Sequence, residues 1–178
     1  MSPKTAGTQR VAMLAHTLYL LDPRVRREAE ALAQEGIEVH VISLSEGGST
    51  SWLQPNDATV NGVHIHRLPI KKKRGSSLRY LYEYFMTGFL GGLKLAALHF
   101  RGPLNVVHVH NMPDILLFAA VVPRLGGSKL VLDIHDPMPE LSMSSQNGSS
   151  KKLLVKLLRL QEHISCKLAD RVEKVTTT

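Results

Sequence analysis

Residues 105–136 read NVVHVHNMPDILLFAAVVPRLGGSKLVLDIHD, and this stretch decides the fold. The apolar run NVVHV predicts one strand, and the run KLVLDI predicts another. Between them, Met112–Leu125 has the pattern of a helix that Gly126-Gly127 closes. A strand, a helix and a strand in succession form a crossover, which leaves the two strands parallel.

The same alternation continues along the rest of the chain. Asp22 followed by Pro23 predicts a helix start, because aspartate caps the first free amide groups and proline fits the first turn. Gly36 is the predicted end of this helix. Three further strands are predicted, at RVAML (10–14), EVHVISL (38–44) and RVEKVTT (171–177).

A hairpin and a long helix complete the outline. The run TVNGVHIHRL predicts a hairpin that turns at Asn61-Gly62, and its second arm is predicted to join the main sheet. Ser76 or Ser77 is the predicted cap of a long helix that reaches towards Phe100.

The chain of 178 residues fits one domain. Residues 1–9 are predicted to be a flexible terminus, and residues 10–178 to form the domain. Within it, a Ser/Gly-rich linker at 142–150 leads to a last helix that ends near Asp170. Strands alternating with helices predict an α/β domain with a Rossmann-like, doubly wound fold: a mainly parallel sheet with helices on both faces.

The net charge of +7 comes largely from basic runs at residues 71–74 and 151–159. Nucleic acid, an anionic membrane face and phosphate-bearing substrates all bind such runs, and a solvated surface is the fourth interpretation. No aromatic-rich nucleic-acid motif is interleaved with these runs, so nucleic acid is not predicted as a partner.

The sequence also indicates a compartment. The start, MSPKTAGTQR, lacks the apolar core of a signal peptide. The most apolar stretch, residues 84–100, is interrupted by Lys94 and falls short of the roughly 20 apolar residues that a membrane span needs. The single cysteine, Cys166, cannot form an internal disulfide. We therefore expect a cytoplasmic protein, at the inner face of the membrane if the basic runs bind lipid.

Polar side chains follow three of the predicted strands at the point where each strand ends. The carboxyl ends of parallel strands meet at one edge of the sheet, and ligands bind there, near the place where strand order reverses. Buried histidines at a strand end are costly unless they are hydrogen-bonded, whereas at this edge they can face a cleft. The predicted substrate-facing residues are His16, His110, Asn111, Asp133, His135 and Asp136.

Two other interpretations of these histidines stay open. His110 and His135 can be structural, capping a strand or a helix. His108 and His110 point to one face of their strand, and such a pair binds metal when acids such as Asp133 or Asp136 complete the site. Because a His-x-His pair is common by chance, no metal site is predicted.

Several other chemistries lack their motifs. No G-x-G-x-x-G follows the first predicted strand, so a dinucleotide cofactor is not expected. The sequence contains no phosphate-binding G-x-x-x-x-G-K-[ST] loop and no G-x-S-x-G nucleophile elbow. Cys166 lies in a helical pattern without an activating neighbour, so it is not a candidate nucleophile.

Three stretches together resemble a known family. They are DPRVRREAEALAQEGIEVHVISL (22–44), NVVHVHNMPDILLFAAVVPRLGGSKLVLDIHDPMPEL (105–141) and ADRVEKVTT (169–177). In this order and spacing they resemble the amino-terminal half of family 4 glycosyltransferases, which have the two-domain GT-B fold. The resemblance runs from about Arg10 to the end of the chain.

The resemblance implies a reaction. Such enzymes transfer a sugar from a nucleotide-sugar to an acceptor with retention of anomeric configuration, and they use no bound metal or other cofactor. The amino-terminal domain holds most of the acceptor, and a carboxyl-terminal domain, absent from this sequence, holds the nucleotide.

The resemblance also implies roles for single residues. His110 maps onto a histidine beside the transferred sugar and is the predicted catalytic residue, while His135 lies on the same cleft wall. Arg24 is placed close to the substrate. Two features depart from the family: residues 16–22 lack the glycines of a phosphate-binding loop, and the glutamate spacing of the family's nucleotide site recurs here only by accident.

We therefore expect the acceptor-binding half of a retaining glycosyltransferase, with little transfer activity alone. Its expected partners are a carboxyl-terminal donor-binding domain or a split partner subunit, and a sugar acceptor that is lipid-linked or a polysaccharide. The alternative is a non-catalytic binding module or a truncated product without transferase activity.

Overall fold

A computed structural model describes residues 8–45, 57–71, 77–110, 114–134 and 170–174 of the chain. Its strands are β1 (Arg10–Ala15), β2 (Glu38–Ser45), β3 (Asp57–Val60), β4 (Val63–Lys71), β5 (Val106–His110), β6 (Lys129–Ile134) and β7 (Arg171–Lys174). Its α-helices are α1 (Pro23–Gln34), α2 (Ser77–Arg101) and α3 (Val121–Leu125), and its 3-10 helices are η1 (Tyr19–Leu21) and η2 (Asp114–Ala120). No helix among these described residues is long and apolar enough to cross a membrane.

The strands form one seven-stranded sheet in the order β3-β4-β2-β1-β5-β6-β7. All neighbours are parallel except β3 and β4, which form an antiparallel hairpin. The chain builds outward from β1 on one side and then returns to add β5 on the other side. Strand order therefore reverses between β1 and β5, and the predicted Rossmann-like, doubly wound fold is confirmed.

The two faces of the sheet carry separate cores. On one face, Leu14 and Ile42 pack with Leu95 of α2 and Leu116 of η2. A Cβ atom at Gly91 would lie 2.8 Å from Leu14 Cδ1, so the absence of a side chain there lets α2 lie close over β1. The predicted cover of helices on this face is confirmed.

The opposite face is covered by α1. Val25 and Ala29 of this helix pack against Met13 of β1 and Val41 of β2, and all four side chains are buried. Neighbouring residues of each strand thus contribute to different cores, as the alternation of side chains along a strand requires.

The start and end of α1 follow from its sequence. The Asp22 carboxylate accepts hydrogen bonds from the amides of Arg24 and Val25, at 3.2 and 3.4 Å, and Pro23 is the first helical residue. Gly36 has a φ of +79°, a conformation that glycine adopts without a steric penalty. Both predicted boundaries are confirmed.

The predicted hairpin is also confirmed. Asn61 and Gly62 have φ values of +50° and +81°, which fit the type I′ turn that connects tightly paired strands. The second arm, β4, pairs in parallel with β2 and so joins the main sheet. The long helix begins at Ser77 and ends at Arg101, close to its predicted end.

The predicted helix over Met112–Leu125 is wrong in type. The segment is the 3-10 helix η2 followed by the short α-helix α3. Pro123 explains the break, because proline has no amide hydrogen and is tolerated in the first turn of a helix but not in its interior. In this fold Pro123 is the third residue of α3.

Three predictions fall on other parts of the chain. Residues 1–7 of the predicted flexible terminus, the linker at 142–150 and the last helix before Asp170 lie outside the described residues. The last predicted strand is confirmed as β7, which pairs in parallel with β6.

A polar network lies near the amino-terminal ends of β2 and β4, on the α2 face. His40 Nδ1 lies 3.1 Å from His66 Nε2, and these two residues are called the amino-end pair below. The remaining nitrogen of each ring meets a carboxylate at 2.8 Å, which belongs to Glu38 for His40 and to Asp57 for His66. Lys94 of α2 closes the network on Asp57 at 3.2 Å. Every ring nitrogen of the amino-end pair thus has a partner.

Candidate functional site

The reversal of strand order brings β5 beside β1, with α1 lying over their common face. Val107 and Val109 of β5 point into the core under α2. The alternating residues His108 and His110, called the carboxyl-end pair below, therefore point to the α1 face. Both are buried, and their ring centroids lie 3.9 Å apart.

The carboxylate of Glu28, on α1, lies against both rings of this pair. One oxygen of its carboxylate, Oε1, lies 2.7 Å from His108 Nδ1, and the other, Oε2, lies 3.8 Å from His110 Nε2. On the next strand, Asp133 Oδ2 lies 3.4 Å from His110 Nδ1, a long hydrogen bond. Residues far apart in the sequence thus form one cluster of two imidazoles between two carboxylates.

Arg24 extends the cluster towards solvent. This residue lies one helical turn before Glu28 on α1, and its guanidinium is 4.0 Å from the Asp133 carboxylate. A second contact, 3.7 Å to Asp22, ties the guanidinium to the residue that caps the helix. The Arg24 side chain is about two-fifths exposed, so its cation reaches both the cluster and the surrounding water.

The protonation states of the cluster follow from burial and charge. Burial lowers the pKa of His110 below its ordinary value, and the neighbouring His108 lowers it further, against the opposing effects of Asp133 and Glu28. Burial raises the pKa of Glu28, but the hydrogen bond from His108 and the nearby imidazoles outweigh it, and the net pKa is lowered. At neutral pH the site therefore combines a neutral His110 with an ionised Glu28.

Two nitrogens of this cluster are buried without a hydrogen bond. They are His108 Nε2 and His110 Nε2, and neither has a partner among the residues that the structure describes. Leaving a buried polar atom unsatisfied costs about 1–3 kcal/mol, and a bound water, an ion or a catalytic role is a common explanation where native proteins retain one. The contrast with the amino-end pair is direct, because there each nitrogen is used.

His16 lies at the same edge of the sheet but on the other face. It follows β1, its Nδ1 is 3.0 Å from the Thr87 hydroxyl, and its ring packs 4.4 Å from that of Tyr84. Both partners belong to α2. Of the six predicted substrate-facing residues, the structure brings His110 and Asp133 together and places His16 against α2.

Of the other predicted site residues, one joins the cluster and three lie outside the described residues. Arg24, taken from the family resemblance, does join the cluster. Asn111, His135 and Asp136 lie outside the described residues. Glu28 was missed by sequence reasoning, although its spacing of four residues from Arg24 places both on one face of α1.

Three members of the cluster have the chemistry of a metal site. Glu28, His108 and His110 each offer one ligand atom, and these atoms all lie within 4.8 Å of one another. A carboxylate with two imidazoles is a common ligand set for transition metals.

A comparison with solved structures supports the fold through one match, to MurG. In solved structures, MurG from Acinetobacter baumannii matches with a TM-score of 0.50 and 14% identity, over 96% of this chain and 42% of that one. A UGT transferase from Siraitia grosvenorii, solved in complex with UDP, matches with a TM-score of 0.49 and 12% identity, over 76% of this chain and 30% of that one. This chain thus spans less than half of either solved chain. A search of curated proteins finds no match.

The family assignment comes from the sequence match. The family model of the glycosyl transferase 4-like domain matches residues 21–178, which is most of the chain. This match confirms the resemblance to the family 4 glycosyltransferases that the three sequence stretches indicated. The chain belongs to the glycosyl transferase 4-like family.

Proposed function

We propose that this chain is the acceptor-binding half of a retaining family 4 glycosyltransferase. It holds the hydroxyl-bearing acceptor and one wall of the cleft in which a sugar passes from a nucleotide-sugar to that acceptor. The observation that carries the proposal is the buried His110 at the carboxyl end of β5, with Nε2 unpaired among the described residues, beside the reversal of strand order.

His110 is the proposed catalytic residue. Asp133 accepts the Nδ1 hydrogen of His110, which fixes the orientation of the ring and leaves Nε2 with a free lone pair. Since burial lowers the pKa of His110, the ring is neutral at neutral pH and Nε2 can accept a hydrogen bond from a sugar hydroxyl. In this role His110 contacts both the transferred sugar and the acceptor that attacks it, and it excludes water from one side of the reacting centre.

Arg24 is the proposed electrostatic contact of the site. Its guanidinium is partly exposed beside Asp133, and arginine binds carboxylate and phosphate oxygens through two parallel hydrogen bonds. Asn111, His135 and Asp136 remain proposed contacts to the acceptor at the same sheet edge. His16 is proposed to support the site indirectly, by fixing α2 to the end of β1.

The donor-binding half is the proposed partner. The chain covers 42% of the MurG chain, which supports a second domain or a split partner subunit that binds the nucleotide-sugar. In this proposal the nucleotide-sugar is a substrate, and transfer requires no cofactor. The isolated chain transfers little sugar, because most of the charge that develops on the leaving phosphate would be stabilised by the partner.

We propose that the enzyme binds an anionic membrane surface and that its acceptor is linked to a lipid. The basic run at residues 71–74 directly precedes α2, whose side chains Phe85, Phe89 and Leu93 are 70, 54 and 56% exposed. These apolar side chains, with Phe118 and Val122 of the next segments, line a groove along α2. Exposed apolar surface on a helix that follows a basic run in the sequence is typical of proteins that lie on an anionic lipid face.

The membrane proposal is tested with vesicles. We expect the chain to sediment with vesicles of anionic phosphatidylglycerol and to stay in solution with phosphatidylcholine alone. Changing Lys71, Lys72, Lys73 and Arg74 to serine, or Phe85 and Phe89 to serine, should each abolish sedimentation. Binding that is independent of anionic lipid, or unaffected by both sets of changes, would refute this part of the proposal.

The transferase proposal is tested in the native enzyme purified from its source cells, where the donor-binding half is present as a domain or subunit. We expect His110→Gln to lower kcat for transfer from labelled nucleotide-sugar by roughly a hundredfold. His64→Gln is the matched control, because His64 lies in the β3–β4 hairpin beside Thr59. An unchanged rate in His110→Gln would reject the catalytic role and favour a non-catalytic binding module.

A further inference from the structure

We propose that Glu28, His108 and His110 form a binding site for one divalent transition-metal cation of the zinc type. The site does not rest on the proposed function, and the ion is not needed for sugar transfer. The proposal also departs from the family resemblance, which implied that no metal is bound.

The distances leave room for an ion. His110 Nε2 and Glu28 Oε2 are 3.8 Å apart, which is too long for a hydrogen bond. Zinc binds imidazole nitrogen and carboxylate oxygen at about 2.0–2.2 Å, so two tetrahedral ligands lie roughly 3.3–3.5 Å apart. Closing this gap requires a movement of a few tenths of an ångström, the 2.7 Å contact of Glu28 with His108 must widen, and all three ligand atoms lie within 4.8 Å of one another. Glu28 can make these movements, because it lies on a helix surface and its side chain is 39% exposed.

The surroundings of His110 are those of a metal ligand. A ligating histidine usually donates its other ring N–H to a carboxylate, which fixes the ring and makes the ligating nitrogen more basic. Asp133 is in this position, 3.4 Å from His110 Nδ1. The Nε2 atom on the opposite side of the ring is buried and makes no hydrogen bond within the described part of the chain.

His108 completes the ligand set from the same face of β5. Its Nδ1 atom contacts the Glu28 carboxylate at 2.7 Å, so in the metal-free protein a proton lies between them. A metal ion on Nδ1 would displace this proton, and the ring would then carry its hydrogen on Nε2. Both rings lie against the Glu28 carboxylate, and in their metal-binding forms one carboxylate and two imidazoles supply one negative charge and two neutral donors.

The donor atoms select the class of ion. Imidazole nitrogen suits zinc, cobalt, nickel, copper and ferrous iron, whereas magnesium and calcium prefer sites built from oxygen alone. Three protein ligands leave a fourth position open on a tetrahedral ion. An ion in this site would occupy the Nε2 lone pair that the proposed transferase function uses, so the metal-bound protein would not present His110 to a sugar.

The experiment measures metal binding by the full chain. After treatment with EDTA and buffer exchange, the chain is titrated with zinc sulfate in a calorimeter, and cobalt binding is followed by its visible absorption spectrum. We expect one saturable site at micromolar or tighter affinity, a tetrahedral cobalt spectrum, and no comparable site for magnesium. Glu28→Gln and His108→Gln should each weaken zinc binding at least tenfold, and Asp133→Asn by about tenfold or more.

The matched control is His66→Gln, which removes a buried histidine from the amino-end pair and should leave the zinc affinity unchanged. If His108→Gln fails to fold, Glu28→Gln still carries the test, because its side chain is on the surface of α1. No saturable zinc binding, or equal affinity in wild type and Glu28→Gln, would overturn the proposal. Either outcome leaves the proposed transfer by the metal-free enzyme untouched, because the His110→Gln assay of the native enzyme measures that separately.

Discussion

The amino-end pair and the carboxyl-end pair consist of the same residue type, and all four histidines are buried. Their surroundings differ. His40 and His66 bond to each other and to the carboxylates of Glu38 and Asp57, so no ring nitrogen is left over. His108 and His110 stack against each other and share Glu28, and one nitrogen of each stays unpaired among the described residues.

The difference separates structural histidines from candidate functional ones. A satisfied polar network stabilises the fold and offers nothing to a ligand, whereas unsatisfied buried atoms cost stability that a ligand can recover. Position in the sheet agrees with this distinction. The amino-end pair lies near the starts of β2 and β4, and the carboxyl-end pair lies beside the reversal of strand order.

The largest expected contrast is in stability. His66→Ala leaves His40 Nδ1 without its partner and the Asp57 carboxylate with Lys94 alone, and we expect it to lower the free energy of unfolding by about 2–3 kcal/mol. His108→Gln removes no bond except the one to the partly exposed Glu28 and should cost less than about 1 kcal/mol. Urea unfolding followed by circular dichroism measures both. Equal costs would show that the two pairs do not differ in structural role.

The pH dependence of stability is expected to depend on the amino-end pair. Burial lowers the pKa of His40 and of His66 below the ordinary value of 6.5, so the unfolded chain binds protons more readily than the folded one. The contribution of these two histidines to the free energy of unfolding is therefore complete above pH 6.5. It falls as the pH drops below 6.5, by at most about 1.4 kcal/mol per pH unit for each histidine.

Thermal unfolding between pH 5 and 8 checks this expectation. His40→Gln combined with His66→Gln should flatten the dependence relative to wild type without abolishing it, because the pKa of His110 is also lowered. A further loss below about pH 4.5 should remain, since Glu28 also has a lowered pKa. A Tm that rises as the pH falls below 6.5 would contradict the assigned direction.

The carboxylate behind His110 offers a sharper test of the carboxyl-end pair. Asp133→Asn removes the group that raises the pKa of His110, so we expect kcat of the native enzyme to fall roughly tenfold and its acid limb to move to lower pH. Asp57→Asn, which alters the corresponding carboxylate of the amino-end pair, is the control and should leave the pH–rate profile in place. A slower enzyme with an unshifted profile would mean that Asp133 acts on structure alone.

The smallest expected effect concerns the helix that holds Arg24 and Glu28 over the site. Asp22→Ala removes the cap of α1 and should lower the free energy of unfolding by about 1 kcal/mol. The same substitution removes one contact of the Arg24 guanidinium. We expect the free energy of zinc or acceptor binding to change by less than the free energy of unfolding. A loss well above 2 kcal/mol would indicate a role beyond capping.

Local sequence signals predicted most of the fold. Asp22-Pro23, Gly36 and Asn61-Gly62 each specify a backbone conformation within a few residues, and the structure has all three features. The helix over Met112–Leu125 was wrong because apolar spacing alone does not distinguish an α-helix from a 3-10 helix next to Pro123.

The site was harder to predict because it depends on packing between distant elements. His110 and Asp133 follow from strand ends, since adjacent parallel strands bring their carboxyl ends together. The contact of Glu28 with His108 depends on how α1 crosses β5, and no local pattern encodes that crossing. His16 lies on the face opposite to His110 because Leu14, two residues before it, faces α2 and side chains alternate along the strand.

If the carboxyl-end pair contacts substrate and the amino-end pair is structural, the two pairs should differ in sugar binding. This difference is measured on an array of immobilised oligosaccharides. Labelled wild-type chain, His110→Gln and His66→Gln are applied at a temperature where all three are folded. We expect wild type and His66→Gln to bind the same restricted set of glycans, and we expect His110→Gln to lose binding to them. Unaltered glycan binding by His110→Gln, or no glycan binding by wild type, would contradict this expectation.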